Sequence, residues 1–596
     1  MNIHKSPPVA APPASTGQRV AAGLSAPPVR ASSGFINRTF VAATVAALLG
    51  AFMILRIVDS YDEFSATADE GNYLVCGIEL YQRHTAVLGP QQPPLSRWAI
   101  GLLPYLSGLR FESGRSFFDE GKRLLEEAGD YWQTLTLARA GNLIFVPLLL
   151  FYVYHWASHL YGRTAGIVAV FLVCFSPAVI AHAGVASADL AVTAALTMAA
   201  FHASQWFRDR TIRNACWAGV GAGLALSAKF SALGYLPVTL AGYGLLAAWA
   251  RRSWPWENRP LTIKPLVYQV SLAAGIAFTL LWATYGFDLT PLRHLTRMPE
   301  IELGNYVSSD SVFGQTADYV STRMAFPMQS FFAGIVQVFR HFFAGHGAFQ
   351  IAYGQFLLGE VKWDGGWWYY FPVALAVKTT LPFLALSLLA LVSLWRGRRE
   401  ATCARSLFVV WAMVSILAVA MSGSLNIGVR HILPIYPLMA ILASSVFRRN
   451  KNGFLPSRLG MSLAGLLLAG HAAASLGAHP DYLAYFNETA RGKEHELLGD
   501  SNLDWGQDLA RLGHYVQQHE IEDLSLSYFG PTSPEVVGIK SWRRFSTQER
   551  PRGWVAVSVL HLQGIYRDPN GDDFSWLADH TPYAKIGKSI WLYRFE

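Results

Sequence analysis

The sequence predicts an all-α polytopic membrane bundle that ends in a small soluble α/β domain. Three observations carry this expectation. The 596-residue chain is 52% hydrophobic and only 15% charged, against about 25% charged in soluble proteins. The deficit is concentrated in long apolar runs holding at most one charge, at 39–55, 165–180, 267–285, 369–394, 407–421, 432–446 and 459–476. The pattern then changes in the last part of the chain, where helix-like and strand-like periods alternate. Crossing about 30 Å of hydrocarbon takes roughly 20 apolar residues, and with their uncharged flanks the runs give about 11 spans.

In chain order, residues 1–36 are rich in Pro, Ala and Ser and are expected to form a disordered cytoplasmic tail. The first apolar run starts too late and runs too long for a cleaved leader, so it reads as a retained anchor. The bundle occupies 37–478. Arg19, Arg30 and Arg38 precede its first span, and Arg163 follows the second. Arg208, Arg210 and Arg213 follow the fourth, and Arg251, Arg252 and Lys264 the sixth. Arg396, Arg398, Arg399 and Arg405 follow the eighth, and Arg448, Arg449 and Lys451 the tenth. All lie on one side if the N-terminus is cytoplasmic, which is the positive-inside pattern. The net charge of +8 therefore points to membrane topology, with no nucleic acid as partner. The fifth and sixth spans share a polar hinge at 229–231.

An odd number of spans leaves three long segments outside: 59–133, 286–367 and the tail 479–596. The stretch 95–109 is amphipathic, and 331–343 is aromatic enough to lie in the interface. In the tail, 507–519 reads as a helix, and 524–529, 554–560 and 590–595 read as strands. Cys76, Cys174, Cys216 and Cys403 lack metal or redox spacing and read as small buried hydrophobes.

Ionisable residues gather at the outer ends of the spans: Asp69 and Glu70 after the first, Arg139 opening the second, Asp189 opening the fourth, Lys229 closing the fifth, and Arg430 with His431 opening the tenth. A proton or ion relay would place such groups at mid-membrane. A reaction at the outer surface places them here. Transfer of a sugar from a polyprenyl phosphate releases an anionic phosphate, so cations or oriented donors must receive its charge; Lys229, Arg139 and Arg430 are the candidates, and His431 joins them as a phosphate-binding residue. The acceptor hydroxyl needs a base, and Asp69 is the candidate. One carboxylate and a good leaving group suffice for single displacement with inversion. Each residue alone has a plainer reading: Asp69 and Glu70 as a solvated pair, Asp189 as a helix cap, Lys229 and Arg430–His431 as groups snorkelling to the headgroups.

The stretch ADEGNYLVCGIELYQRHTAVLGPQQPPLSRW, at 68–98, resembles the first outer loop of the GT-C superfamily glycosyltransferases. It is most similar to the branch of protein O-mannosyltransferases and lipid A aminoarabinose transferases, with Asp69–Glu70 followed by Pro93–Pro94–Leu95. Four further stretches match in order, beginning at Tyr161, Gly221, Gly365 and Asn426, and the tail segment 479–509 is similar to bacterial relatives with a soluble outer domain. The resemblance implies a GT-C fold, a polyprenyl-phosphate-sugar donor, Asp69 as catalytic aspartate, Glu70 as a catalytic-site neighbour that orients it or the acceptor, Asp189 at the second acidic position completing the acidic site, and Lys229 facing the donor phosphate. It also implies a bacterial inner-membrane protein with a periplasmic tail, acting on a protein, lipid A or another glycan. Relatives often carry Lys or His before the Pro-Pro pair; here it is Gln92, with Arg83 and His84 as nearby substitutes. Some relatives bind a divalent metal, for which Asp69 and Asp189 supply oxygen ligands.

Asp500, Asn502 and Asp504 begin like a calcium loop, but Gly506 is one place late and Arg511 stands where the closing Glu belongs. Asn487–Thr489 matches a glycosylation sequon. Two rival functions are a lipid-linked-sugar transporter or flippase, which calls for polar or broken helices at mid-membrane, and a non-catalytic glycan-assembly protein.

Overall fold

The computed structural model describes residues 33–253, 263–291, 325–344, 353–396, 401–448, 458–567 and 572–596. Nearly all of the tail expected at 1–36 and, within the outer segment 286–367, the stretches 292–324 and 345–352 lie outside these residues, as do Arg398, Arg399, Arg449 and Lys451.

The chain is a multi-pass helical bundle. Six helices are long and apolar enough to cross a membrane, or up to eight when each bent pair counts as one span. They include α1 (Ser33–Val58), α5 (Tyr131–Asn142) running into α6 (Phe145–Tyr161), α11 (Ala232–Ser253) and α12 (Ile263–Thr284). The bent pairs are α7 (Arg163–Cys174) with α8 (Pro177–Ala183), at 65°, and Tyr370–Lys378 with Leu381–Arg396, at 114°. The bends fall at Pro177 and before Pro382, where a missing amide or a ring clash ends the helical ladder. Three helices are shorter or more polar: α9 (Asp189–Asp209), α10 (Ile212–Ala228) and Ile435–Ala443. By length and composition the described residues thus hold six to eight spans, where the sequence reading expects about 11.

Small residues set the closest helix contacts. A Cβ on Gly221 of α10 would stand 2.6 Å from the Ala199 amide of α9, and one on Gly219 would stand 2.5 Å from the Ala273 carbonyl of α12. Backbones approach this closely only where side chains are absent or minimal. The break between α10 and α11 falls at the Lys229–Ser231 hinge, with Lys229 in extended backbone.

The first outer segment folds into α2 (Glu70–Arg83), α3 (Pro94–Leu106) and α4 (Phe117–Glu126), packed on α5. Leu74, Ile78, Ile100, Leu124 and Leu135 form its core. This puts the N-terminal ends of α2 and α9 beside each other.

The tail holds a five-stranded mixed sheet in the order Trp542–Arg544, Leu524–Ser527, Gly553–Ser558, Ile590–Phe595, Ala584–Ile586. The first three strands are parallel and the last two antiparallel to their neighbours. Leu509, Leu512 and Val516 of helix Leu509–Gln518 cover one face. The two edge strands, absent from the sequence reading, are three residues long, too short to show a period-two pattern.

Buried carboxylates stitch the tail together. Asp504, 1% exposed, accepts from the Gly506 amide at 3.1 Å and the Leu560 amide at 3.2 Å. Burial, with the nearby Asp508 charge, pushes its pKa from 3.8 up to about 7. The folded chain therefore holds this proton more tightly than the unfolded chain, and its share of stability falls as pH rises from about 4 to about 7. Asp504→Asn should remove that share: the difference in melting temperature between wild type and variant should change through this window and level off above it, and a constant difference would refute the assignment.

Candidate functional site

The site is built around a buried ion pair. Glu70, fully buried at the first turn of α2, meets Arg139 of α5 in a two-pronged bridge, with Arg139 Nε 2.8 Å from Oε1 and Nη2 2.9 Å from Oε2. The Thr67 and Ala186 amides also donate to Glu70, at 2.8 and 2.9 Å. Arg139 directs its remaining donors to the carbonyls of Tyr61, Phe64 and Ser65. Burial opposes the Glu70 charge, but Arg139 and these amides hold its pKa below the usual carboxylate range. One carboxylate thus joins the segment before α2, α5 and the segment before α9. Both residues are fully engaged by protein partners and position the segments that carry Asp69 and Asp189; Arg139, read from the sequence as a phosphate ligand, here meets Glu70 instead.

Asp69 stands one residue before Glu70 and makes no capping hydrogen bond, so its carboxylate is available to the cleft. Arg430 Nη1 donates to it at 2.7 Å, and 30% of the Asp69 side-chain surface is exposed. Asp189, at the start of α9, accepts from Lys229 Nζ at 2.5 Å and from Ser187 Oγ at 3.0 Å. Lys229 reaches it because the helix break turns its side chain from the end of α10 toward α9. Burial disfavours the Arg430 charge, but Asp69, Asp189 and Asp500 together raise its pKa, so it stays a cation. His431 is held well below its usual range by burial and by the Lys229 and Arg430 charges. Burial thus favours the uncharged ring.

Three buried nitrogens here have no hydrogen-bond partner: Arg430 Nε, His431 Nε2 and His182 Nδ1. Unsatisfied donors in a buried cleft are costly unless a ligand or water meets them. The sequence reading missed His182 of α8, and it missed Tyr73, a buried phenol one helical turn beyond Asp69 whose pKa is raised by burial and by the Asp189 and Asp69 charges. The i+4 spacing from Asp69 was the available signal for Tyr73. Trp505 and Asn502 of the tail also reach this place; the sequence marked Asn502 only as part of a calcium-loop-like run.

The remaining candidates lie elsewhere. Arg83 and His84 are exposed at the far end of α2, about 20 Å from Asp69 by helical rise, and Arg83 lies over the Phe111 ring. Gln92 closes a loop fixed by buried Glu79, which accepts from the Val87 and Leu88 amides. The metal reading does not fit the donors present: Asp69 and Asp189 are each neutralised by a side-chain cation, and among the described residues no three His, Cys, Asp or Glu gather as a metal cluster. The buried Asn487 amide donates to the Ala376 and Thr379 carbonyls, so the sequon is closed to modification.

Removing one partner of a buried pair leaves an uncompensated charge, at a cost of about 3–5 kcal/mol. Glu70→Gln should therefore lower the melting temperature of the detergent-solubilised protein sharply, and Arg139→Met added to it should recover part of the loss. A single variant melting like wild type would show that the pair does not hold the outer segment.

Residues 81–289 match the family described as dolichyl-phosphate-mannose-protein mannosyltransferase, a stretch that takes in Arg139, Asp189 and Lys229. No curated protein matches the chain significantly. Among solved structures, it is similar to ArnT from Cupriavidus metallidurans bound to undecaprenyl phosphate, at 12% identity and a TM-score of 0.47, over 94% of this chain and 98% of that one. The apo form of that protein gives 12% identity and a TM-score of 0.46, over 93% and 98%. The S. cerevisiae protein O-mannosyltransferase Pmt1–Pmt2 complex bound to the sugar donor gives 13% and 0.33, over 41% of this chain and 33% of that one. The family match takes in about a third of the chain, from the first outer segment to the end of α12, and is a likeness to that family over those residues.

Proposed function

We propose that this cluster transfers a sugar from a polyprenyl-phosphate donor to an acceptor hydroxyl, at the outer, periplasmic face of a bacterial inner membrane. The observation that carries the reading is the convergence of Asp69, Asp189, Lys229 and Arg430, from four distant stretches of chain, into two ion pairs beside unpartnered buried nitrogens. The orientation rests on the basic residues at the opposite ends of the spans, such as Arg163, Arg208 and Arg213, with a cytoplasmic N-terminus.

Asp69 takes the proton of the acceptor hydroxyl as its oxygen attacks the anomeric carbon from the face opposite the phosphate. The carbon–oxygen bond to phosphate breaks with its electron pair, and the carrier leaves as a phosphate monoester. Lys229 and Arg430 receive the growing negative charge. In the free site Arg430 masks Asp69; an arriving phosphate competes for the guanidinium and frees the carboxylate to act as base. Beneath the cluster, Leu196, Ala200, Leu236, Ile416 and Leu438 line a shallow apolar groove among α9, α11 and the later spans. Tyr235 lines it too and donates to the His431 carbonyl at 2.8 Å. A polyprenyl tail in this groove would bring its phosphate to the cluster.

Asp69→Asn should lower turnover by about 100-fold or more with little change in donor KM, because it removes the base. Lys229→Met should mainly raise donor KM. Comparing surface glycolipids and glycoproteins by mass spectrometry, with and without the gene, should reveal a missing sugar mass and so name the acceptor. Full transfer by Asp69→Asn would remove Asp69 from the mechanism.

A further inference from the structure

The outer tail carries a loop that reaches the two charged residues of the cleft from both sides. Its residues Ser501, Asn502 and Trp505 are all buried. Ser501 Oγ donates to the Ile427 carbonyl at 2.7 Å, and Asn502 Oδ1 accepts from the Val429 amide at 2.9 Å. These bonds fix the backbone immediately before Arg430. On the other side, the Trp505 carbonyl accepts from the Ala68 amide at 3.0 Å, and the Gln507 carbonyl from the Ser65 amide at 2.9 Å. These fix the backbone immediately before Asp69. Between the two anchors the Trp505 ring lies 4.3 Å from the Arg430 guanidinium carbon and contacts the His182 ring edge-on at 6.2 Å.

Asn502 is itself locked. Its Nδ2 donates to the Tyr370 hydroxyl at 2.8 Å, and its carbonyl accepts from the buried Lys378 ammonium at 2.6 Å. Asp500, at the start of the loop, holds a left-handed backbone with φ of 53°, unusual for a residue with a Cβ, and adds a third negative charge near Arg430. The loop also fits too closely to be a loosely tethered lid: a Cβ on Gly428 would collide with Ser501 Oγ.

We infer that the loop 499–507 is part of the reaction site, in which Trp505 and Asn502 are positioning residues that hold the Arg430 guanidinium where it can pass from Asp69 to the donor phosphate. The inference rests on the function proposed above. A planar guanidinium stacked on an aromatic face keeps its edge donors free for a second partner, and Arg430 Nε is such a donor. Stacking on Trp505 leaves Arg430 a single rotation between carboxylate and phosphate. The tail is thereby joined to the chemistry and is more than a separate module for reading the acceptor.

The test uses the full-length protein in detergent and a short-chain polyprenyl phosphate as the probe. Trp505→Phe and Trp505→Leu are compared with wild type for probe affinity, by thermal shift, and for kcat and donor KM. Affinity should fall in the order Trp, Phe, Leu, with Leu weaker by roughly tenfold, and kcat should fall alongside it while acceptor KM stays constant. Asn502→Ala should reproduce the loss and speed amide hydrogen exchange at 427–431. If Trp505→Leu does not fold, the milder Trp505→Phe and Asn502→Ala carry the comparison. Wild-type affinity and turnover in folded Trp505 and Asn502 variants would overturn the inference while leaving the transferase reading intact. A wild-type protein that binds no polyprenyl phosphate would overturn both.

Discussion

The architecture of the outer face depends on the Glu70–Arg139 bridge. Two opposite charges removed from water are tolerated only when paired with good geometry and when their remaining hydrogen-bonding groups are satisfied. Here every partner is protein: two amides on the carboxylate and three carbonyls on the guanidinium. Because those partners come from separate segments, the bridge fixes where α2, α5 and the approach to α9 meet. Asp69 and Asp189 stand next to Thr67–Glu70 and Ala186 in the chain, so they inherit their separation from it.

The cleft balances its charges differently. Asp69–Arg430 and Asp189–Lys229 are simple ion pairs with incomplete partners, whereas Glu70–Arg139 is saturated. A site meant to receive a phosphate and release it needs cations that can be shared and a base that can be uncovered. Partly satisfied pairs supply both, and the price is that buried nitrogens on Arg430, His431 and His182 remain unmet in the free protein. The same logic separates residues that build the cleft from residues that work in it: those with every donor and acceptor engaged build, and those with spare capacity work.

The tail contributes by backbone contact. Its sheet and its helix Leu509–Gln518 form a core of their own, yet the segment between the last span and that helix lies against Ile427–Val429 and Ser65–Ala68. Buried Asn502 and Lys378 explain why polar residues occur there: each ties the tail to the end of helix Tyr370–Lys378.

By itself the sequence determined the bundle, the order of its spans and the crowding of charge at their outer ends, because membrane burial writes itself as long apolar runs and periodicity is local. It also marked Asp69, Asp189, Lys229 and Arg430 as chemically interesting, since charge beside a span is expensive. Only the tertiary structure decided which charge meets which: that Glu70 and Arg139 close on each other, that Arg430 faces Asp69 across 361 positions, and that His431 is buried beside Lys229 and Arg430. Tyr73 was within reach of a helical-spacing argument, whereas His182, Trp505 and the role of Asn502 at the cleft were not, because pairing across hundreds of residues depends on how helices pack and leaves no mark in the local pattern that reports a span.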